Sequence, residues 1–155
     1  MIELLCLALA DAGLWSFSLE LALVPLVRSE LSRVPEARRA DATDALAKKD
    51  RASLRSALVG ADARTRDALL AATELAGDAR VLRDAARVFG GPQASALLGS
   101  LGGLVRRLDE LGLGARLIFD LGEVRGFGYY TGPSFSILAP GPGEPLARGG
   151  RYDGR

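Results

Sequence analysis

Two glycine-rich segments hold the side chains with the widest chemical reach: Val124-Arg125-Gly126-Phe127-Gly128-Tyr129-Tyr130-Thr131-Gly132 and Gly149-Gly150-Arg151-Tyr152-Asp153-Gly154. Glycine lets a backbone come close to a ligand. Tyrosine offers a flat apolar face with a hydroxyl tip, and arginine presents a fork of donors that fits a carboxylate or phosphate. Together these types describe a pocket for a small molecule. The same residues would also suit a twisted hairpin whose glycines permit curvature and whose tyrosines fill a core, so spacing alone leaves both readings open. Neither a Walker loop nor a dinucleotide-binding glycine motif occurs, and no cofactor is expected.

The counts narrow the chemistry further. The chain of 155 residues contains no histidine and a single cysteine, Cys6. Without histidine there is no ordinary general base for neutral pH and no imidazole ligand for zinc, copper or iron. Serine-histidine and cysteine-histidine catalysis are excluded, as are an intramolecular disulfide and a thiolate metal cluster, and no oxygen-ligand metal motif is present. Lysine and arginine total 20 against 19 acids. The balance holds within each part of the chain, so nothing predicts binding to nucleic acid or to an anionic membrane surface. The apolar start Met1–Ala10 lacks a basic leader, carries Glu3, and is too short to span a bilayer. It reads as the end of a buried helix closed by a left-handed Gly13, with Cys6 an inert core residue. A cytoplasmic location is expected.

Residues 15–21 alternate, with Trp15, Phe17, Leu19 and Leu21 on one face and Ser16, Ser18 and Glu20 on the other, which predicts a half-buried strand whose core side includes Trp15. Residues 26–111 change to helical spacing. Breaks near Pro35, Asp50, Gly60, Gly77 and Gly90-Gly91-Pro92 predict four to six helices, with Asp50 and Asp78 as caps and Pro92 in a first turn. Arg106-Arg107 beside Asp109-Glu110 reads as a solvated helix end. From Gly112 onward the composition shifts, and residues 112–155 hold 11 of the 19 glycines and four of the seven prolines. Arg116–Phe119 and Ser134–Leu138 are strand signals, and Pro140-Gly141-Pro142-Gly143 is a connection that cannot continue a strand. Strand, helical block and further strands predict one α+β domain over 1–155 with a helical insertion at 26–111 and an antiparallel sheet. About four strands would leave exposed edges and an uncovered face, which predicts that the domain is partial.

The paired segments closely resemble the two histidine-pocket signatures of the histidyl-tRNA synthetase superfamily, which includes the regulatory subunits of ATP phosphoribosyltransferase. Three features resemble the regulatory-subunit branch more than the synthetases. They are the run Phe17-Ser18-Leu19-Glu20-Leu21 through Arg28, the stretch Lys49-Asp50-Arg51-Ala52-Ser53-Leu54, and the turn Ala139–Leu146 leading into Gly149-Gly150. The resemblance implies a class II aminoacyl-tRNA synthetase-like core and a noncatalytic regulatory role in histidine biosynthesis. The implied partners are a short catalytic subunit of ATP phosphoribosyltransferase, a second copy of the intact protein, and histidine as ligand.

By the same resemblance Arg125 faces the ligand's carboxylate or phosphate, while Tyr129, Tyr130 and Tyr152 line the amino-acid pocket. Gly126, Gly149, Gly150, Arg151 and Asp153 support the loops. There are departures: Gly128 stands where synthetases have aspartate, Pro133, Ser134 and Ser136 are expected to disturb the hairpin, and Arg155 replaces a leucine. The stretch resembles the region between the ATP-gripping arginine motif and the third class II motif, so aminoacylation by these residues alone is not expected. A fragment of a histidyl-tRNA synthetase is the competing enzyme reading, and a stand-alone amino-acid-binding module is a third.

Overall fold

The computed structural model describes residues 1–125, 129–141 and 143–153. In chain order the elements are α1 (Ile2–Asp11), β1 (Ser18–Ala22), α2 (Val24–Leu31), α3 (Glu36–Ala47), α4 (Arg51–Ala57), α5 (Ala63–Ala72), β2 (Ala76–Gly77), α6 (Arg80–Val88) and α7 (Pro92–Glu110). A short 3₁₀ turn (Gly114–Arg116) then leads to β3 (Leu117–Asp120), β4 (Ser134–Leu138) and β5 (Ala147–Gly150). Among the described residues the strands form one sheet in the order β2-β3-β1-β4-β5. The α+β architecture follows from how the chain enters and leaves that sheet.

Alternation in β1 sorts the two faces. Leu19 and Leu21 are fully buried, and their register partners are Leu117 and Phe119 on β3 and Ile137 and Phe135 on β4. This apolar face meets the helices in one continuous core with Val27, Leu46, Leu54, Leu69, Leu101 and Leu108. The residues between them point the other way: Glu20 opposes Ile118 and Ser136, while Ala22 opposes Asp120 and Ser134. A period of two has therefore given the sheet one dry face and one polar face.

The sheet is mixed rather than uniformly antiparallel, because β1 and β3 run parallel. The long helical crossover between them carries the chain back to the end of the sheet at which β1 began, as parallel neighbours require. That helical stretch is broken once, where Ala76-Gly77 pairs antiparallel with Asp120-Phe119 and forms an edge of the sheet. Neither Pro133 nor the serines disturb the following strand. Ser134 and Ser136 are regular members of β4, paired with Gly150 and Arg148 of β5.

The local signals act as their chemistry dictates. Asp50 accepts from the Ala52 and Ser53 amides at the start of α4, Gly13 adopts φ 81° after α1, and Pro92 opens α7. Asp78, two positions before α6, accepts from the Arg80 amide, so it steadies the entry and the helix begins after Ala79. Cys6 is buried and burial pushes its thiol up, whereas Leu4 and Leu7 on the other side of α1 are exposed.

Trp15, expected in the core, is 68% exposed. It precedes the first paired residue of β1. Arg116 donates to the Trp15 and Phe17 carbonyls and lays its guanidinium 4.3 Å from the centre of the Phe17 ring, so Phe17 takes the core position and Trp15 is held outside.

One arginine closes the end of α2. Arg39 donates to the carbonyls of Leu31, Ser32 and Val34 at 3.1–3.2 Å, sharing Leu31 O with the Val34 amide and reaching two further oxygens past the helix end. Replacing Arg39 with methionine keeps most of the stem and removes all three bonds. The expected result is a loss of about 1–3 kcal/mol, read as a lower urea midpoint with unchanged slope. A midpoint equal to wild type would show that water replaces the guanidinium without loss.

Candidate functional site

The polar face of the sheet forms the floor of a cleft of about 300 Å³. β1 supplies Glu20, the end of β3 supplies Asp120, and β4 supplies Ser134 and Ser136. The walls come from Glu123, Arg125 and Tyr130 on one side and from Glu144 and Arg148 on the other. Four carboxylates and two guanidinium groups around one cleft suit a small ligand that carries both charges, such as a free amino acid.

The two glycine-rich segments meet through main-chain bonds beyond the ends of β4 and β5. The Thr131 amide donates to Arg151 O and the Arg151 amide to Pro133 O, both at 2.9 Å. Asp153 fastens the junction, its amide donating to Thr131 Oγ1 at 3.0 Å and its carboxylate accepting from Arg151 Nε at 2.8 Å. Gly149 and Gly150 are required by close approach: a Cβ at Gly150 would lie 2.6 Å from Tyr130 Cε1, and one at Gly149 would lie 2.6 Å from Phe135 Cε1.

The tyrosines separate by position. Tyr130 is buried against the cleft, its carbonyl accepts from Arg28 Nη2 at 2.9 Å, and burial, followed by the neighbouring Tyr129, pushes its phenol up. Tyr129 packs edge-on to Tyr130 at 5.2 Å and to Tyr152 at 5.6 Å. Both Tyr129 and Tyr152 are exposed, and neither lines the cleft among the described residues. The result is an edge-to-face run of three rings leading from the cleft outward. Arg125 lines the cleft and bonds Glu123 through its amide and Nε. Gly126, Gly128 and Arg155 lie outside the described residues.

Glu20, Asp120, Ser134, Ser136 and Arg148 were not singled out from the sequence as site residues. The alternation of residues 15–21 did place Glu20 on the polar face, which is a usable signal once the far side of the sheet is known to hold a cleft. Asp120 is buried, with Oδ1 accepting from the Gly122 amide at 3.1 Å and Oδ2 from Lys49 Nζ at 2.7 Å. Among the described residues no group of three or more cysteine or carboxylate side chains could hold a metal ion.

Burial raises the Glu20 carboxyl above its ordinary value, and the charges of Asp120 and Glu123 raise it further against the opposing pull of Lys49 and Arg125. The folded state therefore binds this proton more tightly than the unfolded chain does. Its contribution favours folding at acid pH and is lost as pH rises through the elevated value. Glu20→Gln, neutral throughout, is expected to gain stability relative to wild type between about pH 4 and about pH 7, measured by urea unfolding across that range. A constant difference would show that the carboxyl titrates as it does in the unfolded chain.

Comparison with known proteins places this geometry in a family. Residues 1–154 match the family model of histidyl-tRNA synthetase. An ATP phosphoribosyltransferase regulatory subunit from Acidovorax sp. (strain JS42) is 38% identical over 148 residues, covering 94% of this chain and 38% of that protein. One from Anaeromyxobacter dehalogenans (strain 2CP-1 / ATCC BAA-258) is 41% identical over 127 residues, covering 81% of this chain and 36% of that protein. Among solved structures, an ATP phosphoribosyltransferase regulatory subunit/histidyl-tRNA synthetase from Bacillus halodurans superposes with a TM-score of 0.83 at 27% identity. That match covers 98% of this chain and 41% of the other. The chain thus spans about two-fifths of the length of these relatives. It belongs to the histidyl-tRNA synthetase family, and it is similar over nearly its whole length to the ATP phosphoribosyltransferase regulatory subunits.

Proposed function

We propose that this chain is the synthetase-like portion of a noncatalytic regulatory subunit of ATP phosphoribosyltransferase, supporting a short catalytic subunit and conferring sensitivity to histidine. The observation that carries this reading is 38% identity to a regulatory subunit over 94% of the chain. The cleft supports it. In this reading Arg125 meets the ligand's carboxylate, Tyr130 forms the buried wall, and Tyr129 and Tyr152 extend the aromatic run. Gly149, Gly150, Arg151 and Asp153 hold the two segments together, and the location is cytoplasmic. Among the described residues no helix is long and apolar enough to cross a membrane.

Histidine feedback in such an assembly requires that histidine bind one state of the complex more tightly than another. By linkage, the catalytic partner and histidine then alter each other's affinity by the same factor. The test is to mix the chain with a short-form catalytic subunit and measure association, catalytic activation and inhibition by histidine. Association with activation that histidine reverses is the expected result. Failure of the chain to associate, together with no calorimetric heat from histidine, would overturn the proposal.

A further inference from the structure

Lys49 is the one residue other than glycine, among the described residues, with its backbone in the left-handed region, at φ 54°. It follows α3, where the Lys49 amide donates to Leu46 O and the Asp50 amide to Ala45 O. This pair of bonds terminates many helices, and the left-handed position in it is usually glycine, because a side chain there crowds the following carbonyl. The next residue, Asp50, is already committed to capping α4. The turn is thus fixed on both sides while holding a residue type that its own geometry disfavours.

The lysine side chain accounts for this choice. Its ammonium lies 2.7 Å from Asp120 Oδ2, between positions 71 apart in the chain, and the Asp120 side chain is only 11% exposed. The other Asp120 oxygen accepts from the Gly122 amide, so the carboxylate is held from two directions. Asp120 shares the cleft floor with Glu20. The charged groups around Glu20 are Asp120, Glu123, Lys49 and Arg125, with Glu144 and Arg148 across the cleft.

We propose that Lys49 is a positioning residue of the cleft: its left-handed backbone aims an ammonium from the helical block at Asp120, and that contact sets the charge met by Glu20 and by a bound ligand. Glycine at this position would relax the turn but abolish the charge. Methionine would retain the crowding and abolish the charge. Arginine would retain both. The charge assignment stands apart from the histidine reading, and only its consequence for affinity rests on that reading.

The test follows the Glu20 carboxyl by ¹³C NMR titration in the full chain as wild type, Lys49→Gly, Lys49→Met and Lys49→Arg, with histidine calorimetry on each. The Gly and Met variants are expected to raise the Glu20 midpoint by roughly half a unit to one unit, and the Arg variant to stay near wild type. Histidine affinity is expected to change in the Gly and Met variants and to be recovered in the Arg variant. The Gly variant, having lost the backbone strain, provides a folded charge deletion if the Met variant unfolds. An unmoved Glu20 midpoint in the Gly variant, or an Arg variant that titrates like the charge deletions, would overturn the proposal. Absence of histidine heat in wild type would instead count against the ligand assigned under the proposed function, while the titration still decides the role of Lys49.

Discussion

Gly150→Ala is expected to weaken ligand binding in the cleft, because the new methyl group would occupy space now filled by the Tyr130 ring. A Cβ at this position lies 2.6 Å and 2.7 Å from two ring carbons of Tyr130 and 3.0 Å from Ser134 Cβ. The ring cannot simply swing away, since Tyr130 is 6% exposed and its carbonyl is tied to Arg28. Either the ring moves into the cleft or β5 separates from β4. Overpacking of this kind costs about 1–3 kcal/mol, so the fold is expected to survive while histidine affinity falls at least about tenfold, an effect of about 1.4 kcal/mol. Calorimetry against histidine, paired with urea unfolding, separates the two effects. A Gly150→Ala protein that binds histidine as wild type does would show that Tyr130 is not a wall of the binding site.

The largest effect on stability is expected from Leu21→Ala. Leu21 is fully buried in the central strand, opposite Phe119 on one neighbour and Phe135 on the other. Removing its branched end leaves a gap between two rings held on the strands either side of β1, with little freedom to collapse into it. Large-to-small changes of this type cost about 2–5 kcal/mol, against a total stability of about 5–15 kcal/mol for a typical domain. The expected result is a large fall in the urea midpoint with unchanged slope. A loss below about 1 kcal/mol would mean that the helices over this face close the gap, and that the sheet's dry face is more compliant than its packing indicates.

Much of the fold was legible because its signals are local. The alternation of Leu19, Glu20 and Leu21 marked β1, and the run Ser134-Phe135-Ser136-Ile137-Leu138 marked β4. Asp50 and Pro92 marked helix starts through hydrogen-bonding and φ preferences that need only their chain neighbours. The two glycine-rich segments were legible as a pair, and the structure joins them through Thr131, Pro133 and Arg151. Trp15 shows the limit of such reasoning. It continues the alternation, yet strand pairing starts at Ser18, and Arg116 of a distant segment decides which aromatic ring is covered.

By itself the sequence determined the types of the principal elements, the polar and apolar faces of the first strand, the exclusion of histidine chemistry, and the motif pair that leads to the family. Tertiary structure alone decided that β1 and β3 run parallel, that Ala76-Gly77 joins the sheet edge, and that Glu20 and Asp120 floor a cleft. It also decided that Lys49 reaches Asp120 and that, among the described residues, Tyr130 lines the wall while Tyr129 and Tyr152 do not. The physical reason is the range of the interactions. Periodicity, caps and turns are set by bond geometry among near neighbours, whereas strand partners, burial and ion pairs depend on which distant segments pack together, and no short window of sequence carries that information.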